Sequence, residues 1–192
     1  NYISNFIENA NTGKRRLKLH DHTVILNWNS RATEIINDML YCEGKQKVVV
    51  LVQSRKNEIE EEIEERLSDT IERENIAIEE KYESLPLIQR KIAIHKENLK
   101  KKLTVIVREG DVFSSKQLND ISLSKARSVI ILGNDINNTI CKFEHKDRIE
   151  ESSRGNSQTI KTLMQVSDIT ADEKSADNQN IVVEISDEWT LD

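Results

Sequence analysis

Five short runs of apolar, mostly β-branched residues punctuate the chain: HTVILNW from His22, KVVVLVQ from Lys47, LTVIVRE from Leu103, RSVIILG from Arg127 and NIVVEIS from Asn180. They are nearly continuously hydrophobic rather than alternating, the pattern of strands buried on both faces of a parallel sheet. Stretches with helical spacing separate them: Ser30 to Tyr41, the region after Asn57, Ser115 to Ile121, and a longer one after Asn137 that includes TIKTLMQVSDI. Alternation of strand and helix predicts an α/β fold built on a doubly wound, mostly parallel sheet.

Two regions exceed an ordinary crossover. Asn57 to Glu83 holds 12 acidic and 3 basic residues, whereas Ser84 to Lys102 holds 1 acidic and 6 basic. Ile59, Ile63, Leu67 and Ile71 recur every four residues, an apolar stripe along a helix. Pro86, the one proline, stands where it ends a first helix or begins a second. Ile88, Ile92 and Leu99 offer a stripe for the second half. The expectation is an inserted charged helical arm over 57–102, made of two antiparallel helices with opposite charges facing each other. The alternative is one long acidic helix with an irregular return. A second, polar expansion falls at about 141–179, where EHKDRIEESSRGNSQ is hydrophilic and TADEKSADNQN reads as a loop.

Composition adds limits. A hydrophobic fraction of 36% beside 32% charged residues fits a packed core with a solvated helical extension. The net charge of −6 argues against nucleic acid as a partner. No apolar run is long enough to span a membrane. Cys42 and Cys141 form no metal or redox motif and fit a reduced cytosolic setting. The first residue is Asn1 rather than Met, which suggests a piece of a longer protein. Residues 1–21, with Lys14, Arg15, Arg16 and Lys18, read as a connector, either a solvated linker or a membrane-surface patch.

Candidate chemistry concentrates at the strand ends. HTVILNWNSRATEII places a strand, a turn and a helix where a Rossmann-like domain carries G-x-G-x-x-G, but the matching residues are Asn27, Asn29 and Ala32. Ala32 is small enough for helix–strand packing. Asn27 and Asn29 add atoms where a pyrophosphate would approach, although Asn tolerates unusual backbone angles. Trp28, Ser30 and Arg31 complete this turn, with Ser30 the expected helix cap and Trp28 packed in the core or at a subunit contact. The second strand ends in Gln53 and Ser54 rather than in an acid for the ribose hydroxyls. NAD is therefore disfavoured as a cofactor. Gly110 and Asp111 after the third strand, and Gly133 and Asn134 after the fourth, complete the candidate ligand-binding set. Asp111 could meet a ribose, join other oxygens around Ca2+, or hydrogen-bond backbone within its own turn. His20 and His22 flank Asp21 as a weak metal candidate, while His95 and His145 read as solvated. No nucleophile elbow, Walker A loop or H-E-x-x-H motif occurs, so no enzymatic activity is expected.

The stretch VREGDVFSSKQLNDISLSKARSVIILGNDINN, running through Gly110-Asp111 to Asp135, Asn137 and Asn138, resembles the N-lobe of RCK domains, which regulate potassium conductance. SLSKARSVIIL, HTVILNW with Trp28, and NIVVEISD are similar to the Castor/Pollux type of ion channel. The resemblance covers about 22–53, 103–135 and 180–187 and leaves out the arm at 57–102. Castor/Pollux-type turns read Gly-Trp where this chain reads Asn27-Trp28, which puts dinucleotide binding in doubt. The resemblance implies a cytosolic ligand-sensing domain, spanning 22–192, that gates a cation channel, in the first place a potassium channel, at the cytoplasmic face of a membrane. Residues 1–21 would join it to the pore domain of the same chain, and a sixth strand and further lobe would follow Asp192. It also implies self-assembly into dimers or rings, with Leu118, Ile121 and Leu123 as candidate contact residues. Two other readings stay open: a fragment of an NAD-dependent oxidoreductase, and a scaffold that acts through its charged arm.

Overall fold

The computed structural model describes residues 16–97, 99, 102–133, 145–171 and 179–185, with the backbone alone described over 145–154. Five strands, β1 (Thr23–Leu26), β2 (Gln46–Val52), β3 (Leu103–Glu109), β4 (Ser128–Ile131) and β5 (Asn180–Val183), form one sheet in the order β3-β2-β1-β4-β5. All four pairings are parallel. The chain therefore walks outward from β1 to β3, then returns to place β4 on the other side of β1. That reversal makes the crevice between the ends of β1 and β4 the switch point at which open α/β sheets bind ligands.

Four of the five apolar runs form their strands because both faces are covered. Ile25, Val48, Val50, Leu103, Val105 and Val107 pack beneath helices α1 (Ser30–Asp38) and α2 (Lys56–Lys81). Val24, Leu26, Val49, Ile106, Val129 and Ile131 pack on the opposite side beneath α4 (Ser115–Asp120), a 3-10 turn at Leu123–Lys125, and α5 (His145–Ala171). The edge strand β5 is the exception, its residues only half-buried or exposed.

Leu118, Ile121 and Leu123 belong to this second core, at 0%, 1% and 0% exposure. The expectation that they form a subunit contact is corrected: they are the apolar side of the return from β3 to β4 and are sealed against the sheet. The polar sequence after His145 is likewise part of one long helix, α5, which links β4 to β5. Cys141, the N-terminal residues 1–15 and the loop read within TADEKSADNQN (172–178) lie outside the described residues.

The arm divides at the proline. Helix α2 runs for 26 residues, and Ile59, Ile63, Leu67 and Ile71 are all buried, so the stripe at four-residue spacing docks it on the sheet. Pro86 immediately precedes α3 (Leu87–Lys96). Two helices divided at the proline do form, but the seam expected between them does not. Helix α3 leaves Leu87, Ile88 and Ile92 exposed, so Ile88 and Ile92 provide no seam; its half-buried side is Arg90, Ala93 and Ile94, and Leu99 alone of the expected stripe returns to the core. Nor do the two charge sets oppose each other. Among the described residues one ion pair joins the halves, Lys81 with Glu97 at 3.0 Å, a cation of the acidic half with the acid of the basic half. Exposed charges gain little from such pairing and are well solvated apart.

Candidate functional site

The turn after β1 is built by two asparagines. Asn27 adopts φ 70°, the left-handed region in which Asn is among the better-tolerated non-glycine residues. Its backbone N–H donates to Leu51 O and its buried side-chain amide to Leu132 O at 3.1 Å, tying the ends of β2 and β4 to β1. Asn29 is extended and caps α1, its Oδ1 accepting from Arg31 N at 3.0 Å. The cap is thus Asn29 rather than Ser30, which is the first helical residue and exposed. With the side-chain and main-chain oxygens of Asn29 receiving the N–H groups of Arg31 and Ala32, part of the helix terminus that a phosphate would use is already satisfied.

The rest of the switch-point crevice is filled from β5. Glu184, the first residue beyond that strand, turns its carboxylate back over the ends of β4 and β1. Its Oε2 accepts from Gly133 N at 3.0 Å and from Asn29 Nδ2 at 2.7 Å, and its Oε1 pairs with Arg31 at 3.0 Å. Asn29 Nδ2 also reaches Gly133 O at 3.1 Å. One carboxylate thereby takes a backbone N–H, a side-chain amide and a guanidinium beside the first turn of α1, the donor set that an anionic ligand would otherwise receive. Of the candidates, Asn29, Arg31 and Gly133 meet around Glu184, a residue that sequence reasoning had placed only within a strand run, while Asn27 bonds to the neighbouring Leu132 O. The signal for Glu184 was slender: an acid at the end of an otherwise apolar fifth strand.

The remaining candidates do not join this cluster. Trp28 is half-buried against the first core, and its indole N–H donates to Glu62 Oε2 at 3.3 Å; Thr33 holds the other oxygen of Glu62 at 2.6 Å, so Trp28 is an anchor for α2. Gln53 and Ser54 are exposed at the end of β2. Gly110 closes on Gln117 and Leu51 so tightly that a Cβ would collide with the Gln117 amide oxygen. Gln117 accepts from Asp111 N, and Asp111 Oδ1 accepts from Phe113 N at 2.9 Å. Of the three roles considered for Asp111, the turn-stabilising one is visible. Asn134 lies outside the described residues.

The fit to NAD is poor on these observations: Glu184 stands where the pyrophosphate would bind, and Gln53 offers no carboxylate for a ribose. Among the described residues no three His, Cys, Asp or Glu side chains converge into a metal site. His22 is fully buried, with Nε2 at 3.1 Å from Ile121 O, while His20 is exposed, so the two do not face a common ion. Burial pushes the His22 pKa down, against the smaller opposing effect of its bond to Ile121 O.

No protein-family model matches the sequence, and no curated protein is significantly similar to it. Among the described residues, no helix is long and apolar enough to cross a membrane.

Proposed function

We propose that this chain is a cytosolic ligand-sensing domain of the Castor/Pollux kind, gating a cation, in the first place potassium, channel. In this reading Glu184 is an internal stand-in for the anionic group of the ligand. The observation that carries it is the capture of the Glu184 carboxylate by Gly133 N, Asn29 and Arg31 at the switch point. A tethered carboxylate competes with free ligand at an effective concentration on the order of millimolar. An incoming anion must displace it, and displacement releases the end of β5 from β4 and α1. Two arrangements with different ligand affinity are all that a gate requires. The domain would act as a dimer or ring of its own copies and transmit the change to the pore through residues 1–21. The alternative oxidoreductase reading needs a pyrophosphate where Glu184 sits. The scaffold reading draws on the exposure of Leu87, Ile88 and Ile92 on the arm.

The test compares wild type with Glu184→Ala by calorimetric titration with NAD, NADH, ADP, ATP and Ca2+, and by recording currents from the full-length channel. Binding of a phosphate-bearing ligand that strengthens at least tenfold in the variant, together with altered open probability, is the expected result. A variant that binds no ligand more tightly, and leaves the currents unchanged, refutes the proposal.

A further inference from the structure

A second polar site lies on the opposite side of the sheet, at the end of edge strand β3. Arg108 is 5% exposed, and its Nε is buried without a hydrogen-bond partner. No carboxylate stands within ion-pairing distance of it among the described residues, although Asp120 is near enough for its charge to favour the cation. Residues flanking Arg108 on its face of the sheet, Leu51 on the neighbouring strand and Ile106 on its own, are core residues. An arginine in such a place is costly unless something neutralises it. Beside it is a cavity of about 380 Å³, lined by Arg108, Lys116, Glu109, Asp120 and the apolar Leu51 and Ile121.

We infer that this cavity binds a small monoanionic carboxylate, received by the guanidinium of Arg108 with Lys116 as the second cation. Arginine presents a planar fork that matches a carboxylate in two parallel hydrogen bonds. Glu109 and Asp120 on the same walls repel a dianion, which selects against phosphate, and they offer acceptors to hydroxyl or ammonium groups on the rest of the molecule. Leu51 and Ile121 give its carbon skeleton an apolar seat. The far side of the cavity wall also holds the chain that enters the domain. Asp120 O accepts from Leu17 N at 2.7 Å, and Ile121 O meets His22 Nε2 at 3.1 Å. A ligand that moves α4 therefore moves residues 17–22 with it. This inference is independent of the Glu184 pocket and of the channel reading.

The experiment titrates the chain with acetate, glutamate and inorganic phosphate, following heat, thermal shift and the Nε–H resonance of Arg108. Saturable binding of a carboxylate is expected, with a shift of the Arg108 resonance and at least a tenfold loss of affinity in Arg108→Met. Lys116→Gln, at an exposed position, should weaken binding several-fold. In buffer without the anions, Arg108→Met should melt no lower than wild type, because the substitution removes a buried charge that has no ion-pair partner among the described residues. A lower melting temperature in that buffer would show that the fold itself satisfies Arg108, and would overturn the inference. So would failure of both carboxylates to bind, undiminished binding to the variants, or a preference for phosphate over the carboxylates.

Discussion

Removing the Glu184 side chain provides a quantitative test of the switch-point site. Glu184→Ala deletes two charge-assisted acceptor contacts, from Gly133 N at 3.0 Å and Asn29 Nδ2 at 2.7 Å, and one ion pair with Arg31. Buried, each hydrogen bond to a charged group would be worth about 1.5–3 kcal/mol. The Glu184 side chain is 20% exposed, however, so water can reach the abandoned donors and about 1 kcal/mol each is the better figure. Arg31 is 69% exposed, and its pair contributes at most about 0.5 kcal/mol. The expected loss is about 2 kcal/mol, a fall in Tm of roughly 4–8 °C for a chain of this size. Asn29→Ser keeps an oxygen to cap α1 while removing the amide donor. Urea unfolding of both single variants and the double variant should then give a coupling of about 1 kcal/mol. Asn29→Asp retains the cap but sets a second carboxylate against Glu184. It should be less stable than Asn29→Ser at pH 7, and the gap should close as the pH falls into the range where carboxylates protonate. An unchanged Tm in Glu184→Ala, or a coupling within about 0.3 kcal/mol of zero, would refute this account of the site.

Two further outcomes follow from the packing. Ile63, fully buried between α2 and the sheet, should lose about 2–5 kcal/mol on substitution by Ala. Ile88→Ala, at an exposed position of α3, should stay within about 0.5 kcal/mol of wild type; denaturant midpoints that fail to separate the two would show that the arm is not divided as described. For His22, burial holds the folded pKa below the ordinary value of 6.5, so the unfolded chain binds more protons between the two values. Its contribution is intact above about pH 6.5 and declines as pH falls toward the folded pKa. Unfolding free energies measured at pH 7.5 and about pH 5.5 should therefore converge in His22→Gln relative to wild type, and parallel behaviour would contradict the assignment.

Much of the fold was legible because its signals are local. Runs such as Val48 to Val52 and Val105 to Val107 are apolar on both faces, which identifies interior strands without knowledge of their neighbours. The stripe from Ile59 to Ile71 likewise carries its own period. Where apolar residues have no partner, as with Ile88 and Ile92, the same period misleads, since spacing records a face and not what covers it. The site was harder to see. Asn27 and Asn29 stand out as departures from a glycine pattern, but their partners Leu132 and Glu184 lie 105 and 155 residues away. Arg108 had a weaker signal, a charge at an inward-facing register of a buried strand, that only the pairing with Leu51 makes plain.

The long connection from Gln53 to Lys102 shapes how the molecule comes together. β2 and β3 pair along seven residues each, yet their contact is gained only after that connection closes. The entropic cost of closure rises slowly, by about 0.6 kcal/mol for each doubling of a flexible loop. Helix α2 spans much of that connection, and its stripe from Ile59 to Ile71 packs against α1 and against β3 itself, so docking the helix also brings β3 toward β2. Beyond Ile78 the arm contributes little to that docking until Leu99 rejoins the core. Its tip can thus lengthen or shorten without shifting the register of β3 against β2.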